Sequence, residues 1–299
     1  MTEIEKKSIL TNILAQYLNH LSKHLPEDIS SALLRLKEQE SDDSARAFYE
    51  TMFRNMELAA ELDRPLCQDT GIVQFKIKCG ALFPAINELA DSLTDAVRIA
   101  TEEAPLRPNC VLSFEEKNTG DNTGGGVPTV WWEIVPNRYD CEITAYLAGG
   151  GSSMPGRAEV LMPSAGYDAI IPFVLDRVAE YGPNACPPLL IGVGVGNSVE
   201  TAAMNSKNAL LRDADSKNSN PKAARIEELL EEGINKMGIG PQGLGGSSSV
   251  MGVNLVNTAR HPATLAVAVS FGCWCHRRGR LHLDRNLNFE SPTHPGFSK

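Results

Sequence analysis

Along the first sixty residues apolar side chains recur every three or four positions: Ile9, Ile13, Leu14, Tyr17, Leu18 and Leu21, then Phe48, Tyr49, Met52, Phe53 and Met56. That spacing marks one face of a helix, so the stretch predicts amphipathic helices that lend an apolar stripe to a core. Pro26 and Glu27 ahead of Ile29, Leu33, Leu34 and Leu36 place a further short helix after a proline, where a missing N–H costs nothing. The period then changes. Val73, Phe75, Ile77 and Cys79 alternate with Gln74, Lys76 and Lys78, as in a strand with one buried face. Helical spacing returns at Ile86, Leu89, Ala90, Leu93, Ala96, Val97 and Ala100, in a helix expected to stop before Pro105.

Strands are expected at about 129 to 135 and 141 to 147, and the turn-rich PNRYD between them reads as the corner of an antiparallel, hairpin-type pair. Helices near 166–181, 198–211 and 222–236 follow, with an apolar strand near 188–195 and renewed alternation at Leu265, Val267 and Val269. No internal repeat, low-complexity tail or long polar linker divides the chain. The pattern predicts a mixed α/β (α+β) fold: one compact domain over 1–299 with mixed sheets, surrounding helices and a helical N-terminal cap over 1–62.

Composition narrows the function classes. With 42% hydrophobic and 22% charged residues over 299 positions the chain is neither disordered nor collagen-like. Lys plus Arg total 28 against 37 for Asp plus Glu, a net charge of −9, which argues against a nucleic-acid or anionic-membrane binder. An anionic substrate would have to be met by locally placed arginines. The longest wholly apolar runs, such as Leu265 to Val269, fall far short of the roughly 20 residues that cross a bilayer, and MTEIEKKS lacks a signal-peptide core. The expected compartment is therefore the cytoplasm.

Twenty-five glycines and 18 prolines against 6% aromatics favour a site built from loops. Four glycine-rich stretches stand out: NTGDNTGGGVP at 118–128, AGGGSSMPG at 148–156, GVGVGNS at 192–198 and GIGPQGLGGSSSVMG at 238–252. Each is expected to let backbone N–H groups approach a ligand. GVGVGNS looks like a dinucleotide loop but has Asn197 where the third glycine is required, and neither a phosphate loop nor a nucleophile elbow appears.

Seven cysteines form no disulfide framework in a cytoplasmic chain of this size. Cys79, Cys110 and Cys141 sit in strand-like runs and read as small buried hydrophobes. Cys67 in RPLCQDTG, Cys186 in YGPNACPP and Cys273 in SFGCWC lie beside turn-forming residues at the ends of elements, which are ligand-like positions. Three thiolates suit zinc or an iron–sulfur cluster, and spacing alone does not choose between them, although no CxxC knuckle supports structural zinc. A cluster held by three cysteines leaves one iron open to a substrate hydroxyl as a Lewis acid. Gln68, Asp69 and Thr70 share the Cys67 turn, while Arg107 in APLRPN and His261 in ARHPA stand next to prolines. Taken singly, these are a turn carboxylate, an exposed arginine and an ordinary histidine.

Taken together, RPLCQDTG, NACPP, GIGPQGLGG and ARHPATLAVAVSFGCWCHRRG make the chain resemble the α subunit of iron–sulfur hydro-lyases, the class I fumarase and L(+)-tartrate dehydratase family. The likeness runs from about residue 45 to 280, and TMFRNM, NTGDNTGGGVP, AGGGSSMPGRAEVLMPSAGY and SVETAA look nearest to its tartrate dehydratase branch. The resemblance implies a [4Fe–4S] cluster on Cys67, Cys186 and Cys273, with one open iron. It further implies substrate contacts from Gln68, Asp69, Arg107, the turn around Gly150 and His261, with Asp69 and His261 supporting catalysis.

Single-chain fumarases of this class carry a further C-terminal domain that has no counterpart here, so the resemblance implies a separate β subunit that completes the site, in an α2β2 assembly. Cys275 departs from the family pattern. The implied reaction is dehydration of a hydroxy-dicarboxylate, tartrate to oxaloacetate and water, with malate–fumarate interconversion as the alternative. A reading from another class, a non-catalytic scaffold in which the same cysteines hold zinc, leaves the glycine loops and Arg107 without a purpose.

Overall fold

The computed structural model describes residues 1–297. In chain order its elements are α1 (Glu3–Lys23), α2 (Glu27–Gln39), α3 (Asp43–Glu61), β1 (Ile72–Gly80), α4 (Ile86–Glu103), β2 (Val111–Leu112), β3 (Lys117–Asn118), β4 (Thr129–Val135), β5 (Cys141–Ala148), α5 (Gly150–Ser153), β6 (Arg157–Leu161), α6 (Ile170–Tyr181), β7 (Leu189–Gly196), α7 (Val199–Leu210), α8 (Pro221–Lys236), β8 (Val250–Asn257), β9 (Leu265–Gly272), β10 (Arg278–Leu283) and β11 (Phe289–Glu290). This is the mixed α/β class that the periodicity predicts. The backbone gathers into two compact units, one of 1–27, 55–149 and 277–297, the other of 28–54 and 150–276.

The first unit is a five-stranded sheet, β11-β10-β5-β1-β4, with α1 and α4 contributing to its core. Thr2 starts α1 with a reciprocal capping box: its hydroxyl accepts from Glu5 N at 3.2 Å and its own N–H donates to the Glu5 carboxyl at 2.7 Å. Leu10, Leu14, Tyr17, Leu18 and Leu21 are buried, whereas Ile9, assigned to the apolar stripe by spacing, is 38% exposed and Leu10 takes its place. Val73, Phe75, Ile77 and Cys79 are buried on one face of β1, as alternation predicts, and the Val, Phe and Ile side chains each contribute about 1.5–3 kcal/mol on burial.

The expected β4–β5 hairpin is not formed. Strand β1 lies between the two, parallel to β4 (Ile77 opposite Trp132) and antiparallel to β5 (Ile77 opposite Ile143). Its apolar face has neighbours to match on both sides, so the long-range pairing outcompetes the local one. Sequence adjacency was the misleading cue.

The second unit is a four-stranded sheet, β6-β9-β7-β8, with β7 and β8 parallel and the other pairs antiparallel. Leu189, Ile191, Val193 and Val195 of β7 pack with α6 and α8, while α7 packs on the strand too. Residues 192–196 are therefore strand rather than ligand loop. A Cβ at Gly192 or Gly194 would run into the α7 backbone at Ser206 or Ala202, so these glycines let a helix approach the sheet, and the expected N–H cradle for a ligand is not what they provide. Among the described residues no helix is long and apolar enough to cross a membrane.

Candidate active site

In the first unit the segment after α3 turns sharply through Cys67, Gln68, Asp69 and Thr70 before β1 begins. Asp69 Oδ1 accepts from Gly71 N at 3.0 Å, the side-chain turn anticipated for an isolated aspartate, and also from Asn109 Nδ2 at 3.2 Å. The Asp69 carbonyl accepts from the buried Arg277 guanidinium at 2.7 Å. Thr70, itself buried, uses its hydroxyl to join two loops: it accepts from Arg107 N at 2.9 Å and donates to Arg107 O at 3.4 Å.

The segment that carries Arg107 is fixed from a third side. Asn122, 1% exposed and in the left-handed region at φ 59°, accepts from the N–H groups of Asn109 (2.6 Å) and Cys110 (3.2 Å). Its amide donates to Thr101 Oγ1 and Arg107 O, both at 3.1 Å. The glycine-rich NTGDNTGGG stretch thus works here as a clamp on the Arg107 loop, a role that the sequence reading did not assign. The Arg107 side chain stays exposed, and a cavity of about 460 Å³ is lined by Pro65, Cys67, Gln68, Thr70, Pro105 and Arg107. Three predicted site residues, Cys67, Gln68 and Arg107, share that cavity, with Asp69 in the same turn.

In the second unit the Cys186 backbone is left-handed (φ 53°, ψ 64°) at the end of the turn Gly182–Ala185. Trp274 N donates to Cys186 O at 3.0 Å, and Gln242 N to Pro187 O at 2.9 Å, so the NACPP, CWC and GPQG segments meet. The helix α5, which Gly150 opens, packs against the 182–185 turn and β9, putting Gly150, Cys186 and Cys273 in one neighbourhood. Glu40, absent from the sequence reading, holds the 246–248 end of the GIGPQGLGG loop: its carboxyl accepts from Ser247 N (3.0 Å), Ser247 Oγ (2.9 Å) and Ser248 N (3.3 Å). Burial pushes its pKa up, but backbone N–H groups of Asp42, Ser247 and Ser248 and the Ser247 hydroxyl outweigh that, leaving it below the usual carboxylate value.

His261 is placed elsewhere. It precedes β9 while Cys273 follows it, and the strand Leu265–Gly272 puts about 23 Å between its own two ends at roughly 3.3 Å per residue. The exposed loop Thr258–Thr264 is tied to the end of β7 by Thr258 N to Val195 O (3.1 Å) and His261 N to Asn197 Oδ1 (3.1 Å). Within one chain, therefore, His261 does not join Cys186 and Cys273.

All seven cysteines are thiols; Cys79, Cys110, Cys141 and Cys275 are buried, Cys67 and Cys273 half-buried and Cys186 exposed. The three expected ligands are thus the cysteines that solvent reaches. Cys67 and Cys186 each lie on a loop held by backbone or neighbouring hydrogen bonds, and Cys273 directly precedes Trp274, whose N–H donates to the Cys186 carbonyl. Among the described residues no group of three or more His, Cys, Asp or Glu side chains is gathered to hold a metal ion.

The fumarate hydratase (Fumerase) family model matches residues 11–282. The chain is 51% identical over 285 residues to the L(+)-tartrate dehydratase subunit alpha of Escherichia coli strain K12, covering 95% of this chain and 94% of that one. The protein of the same name from Shigella sonnei matches equally. A putative L(+)-tartrate dehydratase subunit alpha from Methanocaldococcus jannaschii is 32% identical over 283 residues, 93% of this chain and 99% of that one.

Proposed function

This chain belongs to the fumarate hydratase (Fumerase) family of hydro-lyases, and we propose that it is the α subunit of a [4Fe–4S]-dependent dehydratase that converts tartrate to oxaloacetate and water. The observation that carries the reading is the cavity in which Cys67, Gln68 and Arg107 meet. Cys67, Cys186 and Cys273 are the proposed ligands. The cluster, when bound, supplies a Lewis acid for the leaving hydroxyl.

The remaining tasks fall to side chains. Elimination breaks a C–O bond to a poor leaving group and a C–H bond of weak acidity, so negative charge that develops beside the carboxylate must be neutralised. Arg107 is the proposed clamp, its planar fork matching a carboxylate oxygen pair while Thr70 and Asn122 hold its backbone still. Gln68 orients the substrate from the same turn. Asp69, one oxygen already fixed by Gly71 and Asn109, is proposed to hold a proton near the reacting carbon. Gly150 is proposed to lend a backbone contact. His261 is proposed as a substrate contact in the assembled α2β2 enzyme, away from the cysteines of its own chain. Loss of water from tartrate gives an enol that becomes oxaloacetate. The matching family description also favours a second substrate pair, malate and fumarate, which lacks one hydroxyl.

The test is co-production with the partner subunit, anaerobic reconstitution, and assays on tartrate isomers, malate and fumarate. About four irons and four sulfides per α chain are expected, with Cys67→Ala, Cys186→Ala and Cys273→Ala each losing both cluster and activity. Full activity in the triple variant would overturn the proposal. Preference for malate over tartrate would move it to the second substrate pair.

A further inference from the structure

The loop that carries His261 is exposed, yet it is held by more hydrogen bonds than an exposed loop needs. Half-buried Arg260 lies beneath it. One terminal nitrogen of its guanidinium donates to the carbonyls of His261 (3.0 Å), Pro262 (3.2 Å) and Thr264 (2.8 Å), so its two hydrogens are shared among three acceptors. Its Nε donates to the Tyr167 hydroxyl at 3.1 Å, and the guanidinium lies 5.4 Å from the centre of that ring. Thr264 N closes the turn onto His261 O at 3.1 Å, with Pro262 presetting the backbone at the second position.

Inside this turn the Ala263 N–H donates to His261 Nδ1 at 3.1 Å. A backbone N–H only donates, so the ring lone pair sits on Nδ1 and the ring proton on Nε2. We propose that Arg260 is a positioning residue: by gathering the carbonyls of the 261–264 turn it aims Ala263 N–H at His261, fixing an imidazole whose Nε2–H is presented to a substrate carboxylate. Tyr167 acts one step further back by orienting Arg260. The inference rests on the proposed role of His261 as a substrate contact, but its first half, the fixed tautomer, stands apart from that role.

The experiment compares Arg260→Gln, Arg260→Lys, Tyr167→Phe and His261→Gln in the α2β2 enzyme. ¹⁵N-histidine labelling reads the protonation of each ring nitrogen, the His261 signals being those lost in His261→Gln. Wild type is expected to show unprotonated Nδ1 and protonated Nε2 at His261. Arg260→Gln should average the two tautomers and raise KM about tenfold, with kcat changed by less than about threefold, as for loss of one aligned hydrogen bond to a charged group. Arg260→Lys, which keeps a cation without the fork, should fall between, and Tyr167→Phe should have the smallest effect.

An unchanged tautomer and KM in Arg260→Gln, or a lower melting temperature with the tautomer intact, would reduce Arg260 to a loop staple and overturn the inference. If His261→Gln leaves KM unchanged while Arg260→Gln still scrambles the tautomer, the positioning role stands and the reading of His261 as a substrate contact fails.

Discussion

The two units hold their candidate residues by different chemistry. In the first, the Arg107 loop rests on neutral groups, the Thr70 hydroxyl and the Asn122 amide, while the Asp69 carboxyl and the Arg277 guanidinium brace the Cys67–Thr70 turn beside it. In the second, the comparable loops rest on ions, the Glu40 carboxyl under Ser247 and Ser248 and the Arg260 guanidinium under His261. A neutral lattice asks little desolvation but leaves buried orphans when one member goes, whereas an ionic anchor gathers several backbone groups at one charge. The contrast predicts how each unit fails.

The largest expected difference is towards acid, where the first unit fails before the second. That unit packs His20, His24 and His294 together: His20 stacks on His24 with centroids 4.3 Å apart, and His294 meets His20 edge-on at 5.3 Å. Burial chiefly, then neighbouring His24 and Lys23, pull the His20 pKa down to about 4. Burial, His20, His24 and Arg278, opposed by the His24 carbonyl, pull His294 to about 3. His24 is lowered by burial and Lys23 against the opposing pull of Asp63.

Position at the end of α1 should favour the charged rings, but a helix dipole contributes only about 0.3–1 kcal/mol, and desolvation wins. Because the folded values lie below the unfolded one, near 6.5, the unfolded chain binds more protons as pH falls. The stabilisation is complete above about 6.5 and is lost as pH drops through 4 and 3. Glu40, lowered from a carboxylate value, keeps its contribution until pH falls below the ordinary carboxylate range. Hydrogen exchange at pH 7 and 5 should therefore show α1 and β10 losing protection before β7 and β8. His294→Phe, which takes no proton, should flatten the difference, and equal loss in both units would remove it.

Next in size is Asn122→Ala. It strands the N–H groups of Asn109 and Cys110 and removes two further bonds, so urea unfolding should show a loss of about 3 kcal/mol, at roughly 1–3 per stranded buried group. A loss below about 1 kcal/mol would mean that the lattice relaxes or takes in water. The smallest effect is expected from Arg107→Ala, whose exposed side chain supports no fold. Stability should stay within about 0.5 kcal/mol while kcat/KM falls about a hundredfold, the value of a lost charge-assisted pair. A hundredfold loss in Asn122→Gly, which keeps the left-handed backbone but not the clamp, would show that positioning matters as much as charge.

Much of the secondary structure was legible because burial on one face writes a period into the chain: 3.6 at Leu14, Leu18 and Leu21, two at Val73, Phe75 and Ile77. Pairing was not legible. The same alternation permits β4 beside β5 or beside β1, and only the apolar faces available in three dimensions choose. Glycines at 192 and 194 are equally mute, since a residue without a side chain suits a phosphate loop or a helix seat, and the presence of α7 decides.

The sequence by itself determined the chemistry on offer: three thiols at turn residues, a polar turn beside the first, an arginine and a histidine next to prolines, and family motifs in order. Tertiary structure alone decided which of them meet. Cys67, Gln68 and Arg107 share one cavity because Thr70 and Asn122 bridge segments some forty and fifteen residues apart. His261 and Cys273, only twelve positions apart in sequence, are separated by a strand. An extended strand converts short sequence separation into distance, while one buried amide closes a long one, and neither effect is written in residue types.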